Sequence, residues 1–281
     1  MTRSWRAIAM IGLGAMLAPG VQAASIGTGI AHTYPAIIGT VRAGEADEVA
    51  QTFVAPLKKP LTLRIHPFSD AREVTRIGRW MQDRRPALLV KDACVASCAR
   101  ALLPAGGAIS IAPGTVIAFG GMGDLGATMK DQLDAGDLFS DDERSQASRG
   151  RFLQKFKALI DYSVTLRELQ AQLAPLSKPA QAFLDAVVGS WRITRLSFSD
   201  DGFNLSLAGG RHQCLWWLPD AQGLQQLGLD VRGYQPASRA EAAKLLKVPE
   251  QVIYAGPMLE ALPEQPLCSM PPGHTNFPMQ P

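Results

Sequence analysis

Residues 88–106 have the sequence LLVKDACVASCARALLPAG, in which an apolar run leads into a serine set between two cysteines. The run at 87–91 predicts a short buried strand, and the residues from Ser97 onward predict a helix that ends at Pro-Ala-Gly-Gly. Ser97 therefore falls at the mouth of a helix. Two interpretations stay open: Ser97 is a nucleophile, or it is a helix N-cap beside a structural disulfide.

The composition is that of a folded chain with a sizeable core. Of its 281 residues, 47% are hydrophobic and 19% are charged, and the formal net charge is +3. This length allows one large domain or two small ones. No dense run of Lys or Arg stands out along the sequence, so nucleic acid is not expected as a partner.

The N-terminus has the layout of a secretory signal peptide. Arg3 and Arg6 precede an apolar stretch from Ala7 to Leu17, and small residues follow around Ala23. We expect cleavage after Ala23 or one residue later, which places the mature protein in the periplasm or outside the cell. An uncleaved anchor is the alternative, but the apolar stretch is too short to span a bilayer comfortably. No stable membrane anchor is therefore expected after cleavage.

Four cysteines in an exported chain point to disulfides. They are Cys94, Cys98, Cys214 and Cys268, an even number suited to an oxidising compartment. Pairing in sequence order is the simplest of three possible connectivities. A metal site is a weaker interpretation, because the chain has no Cys-x-x-Cys and its histidines are scattered. Neither a metal nor a cofactor is expected.

The order of elements before residue 121 predicts an α/β fold. Alternation at 61–65 predicts a strand, and the spacing of Asp70 and Glu73 predicts a capping box that opens a helix within 69–85. The strand at 87–91 and the helix from Ser97 follow. Residues 108–121 then predict two strands around a turn at Pro113 and Gly114. Alternating strands and helices are typical of layered α/β cores.

The rest of the chain predicts a mixture of helices and one hairpin. Residues 121–150 are rich in Gly and Asp and predict an exposed, mobile excursion. Further helices are predicted at 151–174, 178–191 and 237–249, and a hairpin at 193–207. We divide the chain into a signal peptide at 1–23, a main domain at 24–235, a short C-terminal helical extension at 236–268 and a flexible tail at 269–281.

Four stretches together resemble the Clp-protease/crotonase superfamily, in its exported bacterial branch with a Cys-x-x-Ser-Cys segment. They are LTLRIHPFSDAREV at 61–74, CVASCARALLPAGG at 94–107, ISIAPGTVIAFGGM at 109–122 and LPDAQGLQQLGLDV at 218–231. The resemblance implies that the main domain is a layered core of repeated strand-strand-helix units. It also implies that Ser97 stands at the position of the nucleophile.

Two positions depart from the family pattern. The position of the catalytic base falls on Gly120, and the glycine pair that presents oxyanion-binding amides falls on residues 66–71. Phe68 and Ser69 keep their backbone N–H groups, but they lack the conformational freedom of glycine. A serine hydroxyl is a weak nucleophile without an adjacent base. The resemblance therefore implies a catalytically degenerate protein that serves as a binding or scaffold protein.

A serine hydrolase with an unconventional base is the alternative. His66, at the end of a predicted strand, is one candidate base, and its plain interpretation is an exposed strand-end histidine. Lys91 is the other, as a desolvated amine in a Ser-Lys dyad. Such an enzyme would be a peptidase acting on exported or envelope polypeptides. The family further implies a homo-oligomer, trimeric or larger, that uses the helix from Phe152 to Ala174.

Overall fold

A computed structural model describes most of the chain after the predicted signal peptide. The described residues are 25–27, 35–67, 69–120, 125–136, 139, 143–173, 176–189, 192–199, 202–208, 212 and 214–269. The predictions made for residues 1–23, for Phe68 and for all but the first residue of the tail at 269–281 lie outside them. Among the helices in these ranges, none combines the length and the apolar character needed to span a bilayer.

Strands and helices alternate along the described chain. The strands are β1 (Ser25–Gly27), β2 (Ala36–Gly39), β3 (Leu61–Ile65), β4 (Leu88–Val90), β5 (Ala93–Val95), β6 (Ile109–Ile111), β7 (Val116–Gly120), β8 (Arg192–Ser199), β9 (Gly202–Ala208), β10 (Trp216–Pro219), β11 (Val231–Arg232) and β12 (Ile253–Gly256). The α-helices are α1 (Glu45–Thr52), α2 (Ala71–Gln82), α3 (Leu103–Ala105), α4 (Leu125–Asp134), α5 (Glu143–Ala171), α6 (Lys178–Leu184), α7 (Ala221–Gln226) and α8 (Arg239–Leu246). Two π-helical turns, Cys98–Leu102 and Asp185–Gly189, and a 3₁₀ turn, Glu250–Val252, complete the set.

The strands form two main sheets and a separate hairpin. The six-stranded sheet has the order β1-β2-β3-β4-β6-β11, and every pair in it is parallel except β1 with β2. The four-stranded sheet has the order β12-β10-β7-β5, and β8 pairs with β9. The predicted α/β class is confirmed. The expected hairpin also forms, with Ser199 opposite Gly202.

The two strands around the Pro-Gly turn form as predicted, but they belong to different sheets. β6 pairs with β4 in the six-stranded sheet, whereas β7 pairs with β5 and β10 in the four-stranded sheet. Gly114 adopts φ +73° and has open space around it. The turn therefore redirects the chain from one sheet to the other, which a strand pattern alone does not reveal.

The predicted cap of α2 forms, but the capping box is not reciprocal. The Asp70 carboxylate accepts hydrogen bonds from the backbone N–H groups of Arg72 and Glu73. The carboxylate of Glu73, whose side chain is largely buried, instead accepts from Gly44 N at 3.1 Å and Ala46 N at 3.0 Å. Gly44 is the N-cap of α1 and has no side chain to cap with. Glu73 thus satisfies the start of α1 from a neighbouring helix.

The described part of residues 121–150 (125–136, 139 and 143–150) is largely helical, whereas the sequence predicted an exposed, mobile excursion. Their described part contains α4 and the first turns of α5, which pack on each other. Met129 and Leu133 of α4 are buried against Phe152 and Phe156 of α5. Asp131 and Asp134 of α4 are exposed, and the sequence pattern followed these acids rather than the apolar face of the helix.

The C-terminal extension contains a strand as well as the predicted helix. It contains α8, but it also supplies β12, which pairs in parallel with β10 across the four-stranded sheet. The Cys214–Cys268 disulfide forms as the sequence-order pairing predicted. Cys268 also donates its backbone N–H to the carbonyl of His212 at 3.0 Å. β12 of the predicted extension therefore belongs to the same sheet as β10, β7 and β5.

We predict that Gly78→Ala destabilises the protein although it improves helix propensity. A Cβ at Gly78 in α2 would lie 2.7 Å from the carbonyl oxygen of Ala101 and 2.9 Å from its Cβ. The backbones must move apart, so we expect the free energy of unfolding in urea to fall by about 1–3 kcal/mol.

Gly150→Ala is the matched control for this prediction. Gly150 lies in α5, and a Cβ added there would meet nothing within 4 Å. At this position we expect a gain of about 0.5–1 kcal/mol from helix propensity alone. Equal gains in both variants would contradict close packing between α2 and the π-helical turn.

Candidate functional site

A sharp turn connects β5 to the π-helical turn that begins at Cys98. Ala96 adopts φ +51°, in the left-handed region that residues other than glycine rarely occupy. Its N–H donates to the carbonyl of Ala118 in β7 at 2.9 Å, and its own carbonyl accepts from Arg100 N at 2.9 Å. The turn is thus held on one side by the sheet and on the other by the first helical hydrogen bond.

The Cys94–Cys98 disulfide spans this turn. Cys94 lies in β5 and Cys98 opens the π-helical turn, with 5.1 Å between their Cα atoms. Both cysteines are buried in the main core. The predicted pairing is confirmed, and among the described residues no cysteine is free. The disulfide therefore fixes the ends of the segment that carries Ala96 and Ser97.

The interpretation of Ser97 as a capping residue is wrong. Ser97 has helical dihedrals (φ −60°, ψ −33°), and its side chain makes no capping hydrogen bond. An N-cap residue is extended, because only then does its oxygen reach the free amides of the first turn. Here the first helical hydrogen bond already ends on Ala96, so Ser97 lies one residue too far into the helix. Ser97 is largely buried, with an exposed fraction of 8%. Its hydroxyl does not cap the helix.

His66 lies at the same edge as the Ser97 turn. It follows β3, which contacts β5, and its N–H donates to the carbonyl of Gly39 at 2.9 Å. Partial burial, and then the nearby charge of Lys247, lower the pKa of His66 below its ordinary value of 6.5. The imidazole is therefore neutral at neutral pH, as a base must be. In the described part of the chain, however, no hydrogen bond joins it to Ser97.

Lys91 is placed in solvent rather than in a desolvated pocket. Its side chain is exposed at the end of β4, and its backbone N–H donates to the carbonyl of Leu63 at 2.8 Å. The next residue, Asp92, is left-handed at φ +62° and forms an ion pair with Arg64. No hydrogen bond between Lys91 and Ser97 occurs in the described ranges. A Ser-Lys dyad stays a prediction, and the exposure of Lys91 gives it no support.

The polar groups of Ser69 serve the local loop. The N–H of Ser69 donates to the carbonyl of His66 at 3.1 Å, and its hydroxyl donates to the same carbonyl at 2.8 Å. The hydroxyl oxygen accepts from Val41 N at 3.0 Å. In this conformation the Ser69 amide is not directed at a reacting oxygen. The other predicted oxyanion donor, Phe68, lies outside the described residues.

Gly120 leaves no space for a side chain at the position expected for the base. It adopts φ +121°, and a Cβ there would lie 2.4 Å from the carbonyl oxygen of Leu215 and 3.2 Å from the Cβ of Val188. The glycine ends β7 opposite Trp216 of β10. A backbone oxygen cannot move away without separating these two strands. Position 120 therefore requires glycine for packing.

Lys247 is the residue near this edge that the sequence did not suggest. It closes α8 in the left-handed conformation (φ +55°), and α8 packs over β5 and β7. Its charge reaches His66 although the two residues are far apart in the sequence. A lysine at the end of a helix is common as a partner of the helix dipole. No local pattern could have distinguished Lys247 from the other lysines.

We predict that Gly120→Ala is strongly destabilising. The variant combines a left-handed residue, which costs about 1–2 kcal/mol, with an overpacked contact against Leu215 that costs about 1–3 kcal/mol more. Urea unfolding measures the sum. Gly114→Ala is the matched control, since Gly114 is also left-handed but has nothing within 4 Å. Equal losses in the two variants would contradict the contact with Leu215.

We predict that Lys247→Met raises the pKa of His66 toward its ordinary value. Removing the positive charge makes protonation of the imidazole easier, while the effect of burial stays. Histidine resonances followed by NMR across pH give this pKa directly. Lys91→Met is the control, because Lys91 is not among the causes of the shift. A His66 pKa that moves equally in both variants, or in neither, contradicts the pairing with Lys247.

Comparison with known proteins adds no relative to this picture. No family model matches the chain, and neither a curated protein nor a solved structure matches it. The interpretation of the Ser97 turn therefore rests on the burial, the hydrogen bonds and the distances of this chain itself.

Proposed function

We propose that this chain is an exported protein of the Clp/crotonase fold that has lost its hydrolytic mechanism and acts as a binding or scaffold protein. The observation that carries the proposal is the contact at Gly120, where a Cβ would lie 2.4 Å from the Leu215 carbonyl oxygen. A base at the family position cannot be regained by substitution alone. The packing of β7 against β10 excludes a side chain, and therefore a base, at position 120.

The arrangement of the two sheets supports the fold assignment. β4 and β6 lie in one sheet and β5 and β7 in the other, so these two successive strand pairs each give one strand to each layer. The Ser97 helix follows the first such pair, as the strand-strand-helix repeat of the family requires. The two disulfides fit a chain that resides in the periplasm or outside the cell.

The surroundings of Ser97 also argue against chemistry. The triad of a serine hydrolase acts as a unit, and loss of one member lowers the rate by several powers of ten. Here Ser97 is not hydrogen-bonded to His66 or Lys91 in the described chain, and the Ser69 amide is donated to His66. Catalytic hydrogen bonds are often long in the absence of substrate. Here, however, the Ser69 amide already has a partner and position 120 carries no base, so two parts of the mechanism are missing independently.

The turn around Ser97 is rigid and buried, and rigidity lowers the entropic cost of binding a ligand. The Cys94–Cys98 disulfide and the contact of α2 with Ala101 hold the turn in place without a ligand. A polypeptide is the ligand class that the family resemblance suggests. We also infer a homo-oligomer, trimeric or larger. The buried aromatic face of α5 already packs on α4 within the chain. A contact between copies would therefore use exposed residues of α5, such as Leu153, which is 38% exposed.

A serine hydrolase with Ser97 as the nucleophile is the second candidate. It is favoured by the hydroxyl of Ser97, which is not used as a cap, and by the left-handed Ala96 before it. Backbone strain of this kind collects at functional sites. His66, with its lowered pKa, would then approach Ser97 when a substrate binds and would accept the hydroxyl proton.

Labelling with a fluorophosphonate probe separates the two candidates. We expect the wild-type mature protein and its Ser97→Ala variant to label equally, at the background level, because an unactivated serine does not attack phosphorus at a useful rate. Ser69→Ala is the matched control, since Ser69 lies at the same edge with its hydroxyl in hydrogen bonds. A known serine hydrolase in the same reaction checks the probe.

Labelling that disappears only in Ser97→Ala would overturn the degenerate assignment and establish the hydrolase. In that case His66→Gln must also abolish labelling if His66 is the base, whereas Lys91→Met must abolish it if Lys91 is. Repetition with the smaller reagent phenylmethylsulfonyl fluoride guards against exclusion of a bulky probe from a narrow site.

A further inference from the structure

Basic residues collect at the edge of the six-stranded sheet where β3 and β4 begin. Leu61 and Leu88 open these strands side by side in register, and Leu61 N donates to the carbonyl of Ala87 at 2.7 Å. The residues just before each strand are therefore neighbours in space. We call the group formed there the basic edge; its members are Val54, Lys58, Lys59, Arg79, Arg84 and Arg85.

Aromatic contacts join the end of α1 to this basic edge. The rings of Phe53 and Trp80 lie 6.2 Å apart, which brings Val54 next to the end of α2. The guanidinium of Arg84 lies 4.8 Å from the centre of the Trp80 ring. Val54 is 72% exposed, the largest exposed fraction found for a large apolar side chain in the described residues. An exposed apolar residue therefore lies at the same edge as the cation of Arg84.

Most cations of the basic edge are not neutralised by acids. Earlier in α2, Arg72 and Arg76 pair with Asp70, Glu73 and Asp47. By contrast, within the described chain Lys58, Arg79 and Arg84 form no ion pair, and Arg85 donates to the carbonyl of Gly106. Among the described residues, the acids that most closely precede the strand starts at this edge are Asp83 and, before β11, Asp230. A positive surface therefore persists here although the whole chain is nearly neutral.

The basic edge faces away from the Ser97 turn. β2, β3, β4 and β6 run parallel, so their starts lie at one edge of the sheet and their ends at the other. His66 and Lys91 follow the ends of β3 and β4, whereas Lys58 and Arg85 precede their starts. Contact at the basic edge would leave the Ser97 side accessible.

We propose that the basic edge docks reversibly on a membrane surface rich in anionic phospholipids. Juxtamembrane Lys and Arg residues gain free energy from the negative potential of such a surface. The exposed Val54, followed by the exposed Ala55 and Pro56, adds an apolar loop that can enter the headgroup region. A soluble polyanion would use the charges but would leave the apolar loop in water. Docking at this edge does not depend on whether Ser97 reacts.

The test is co-sedimentation of the full mature protein with vesicles. Vesicles of phosphatidylcholine alone are compared with vesicles that also contain phosphatidylglycerol. We expect binding only to the anionic vesicles, and we expect it to vanish between about 0.1 M and about 1 M NaCl, as the screening length falls from about 10 Å to about 3 Å. The double variant Lys58→Glu/Arg84→Glu is expected to bind at least about tenfold more weakly.

Two further variants distinguish docking of the basic edge on lipid from attraction by net charge. Lys178→Glu/Arg239→Glu changes the net charge equally at exposed positions that open α6 and α8, and it is expected to bind like wild type. Val54→Ser keeps every charge and is expected to weaken binding several-fold. Circular dichroism verifies that each variant is folded.

The proposal is overturned by any of three results. The first is no sedimentation with anionic vesicles at low salt. The second is an equal loss in the two double variants, which would mean attraction by net charge alone. The third is binding to heparin that is tighter than binding to vesicles and is unchanged by Val54→Ser. That result would assign the basic edge to a soluble polyanion instead.

Discussion

The close approach of the Leu215 carbonyl to Gly120 determines how the second half of the chain joins the first. Trp216 and Trp217 pair antiparallel with Gly120 and Phe119, and β12 then pairs with β10. Without a glycine at position 120, β10 could not lie this close to β7. The same contact removes the space for a side chain that could act on Ser97. One packing requirement therefore accounts both for the four-stranded sheet and for the proposed loss of catalysis.

Polar side chains, partly or largely buried, connect α5, α2 and α1. The Tyr162 hydroxyl of α5 accepts from Ala71 N at 3.0 Å and donates to the Asp70 carboxylate at 3.2 Å, so α5 caps α2. Burial raises the pKa of Tyr162, which keeps the hydroxyl protonated and able to donate. Together with Glu73, which caps α1, these contacts satisfy two helix starts through neighbouring elements. In both cases a side chain from another element satisfies backbone N–H groups at a helix start.

Local patterns predicted the elements, and tertiary contacts decided how they combine. Period-2 alternation located β3, the spacing of Asp70 located the start of α2, and the even number of cysteines implied both disulfides. The transfer of β7 to a second sheet was not predictable, because a strand pattern carries no information about its partner. For the same reason the sequence predicts that Glu73 caps its own helix, whereas its carboxylate accepts from Gly44 N and Ala46 N at the start of α1.

The candidate site illustrates the same limit at the level of single residues. Sequence alone marked Ser97 as a cap or a nucleophile, and the structure removes the first interpretation by placing the residue one position too far into the helix. A left-handed Ala96 costs about 1–2 kcal/mol, and no cap offsets it. The turn persists because the Cys94–Cys98 disulfide holds both of its ends and Ala101 packs on Gly78. A conformation imposed by this much surrounding structure is rigid before any ligand arrives, and rigidity lowers the entropic cost of binding whether or not a reaction follows.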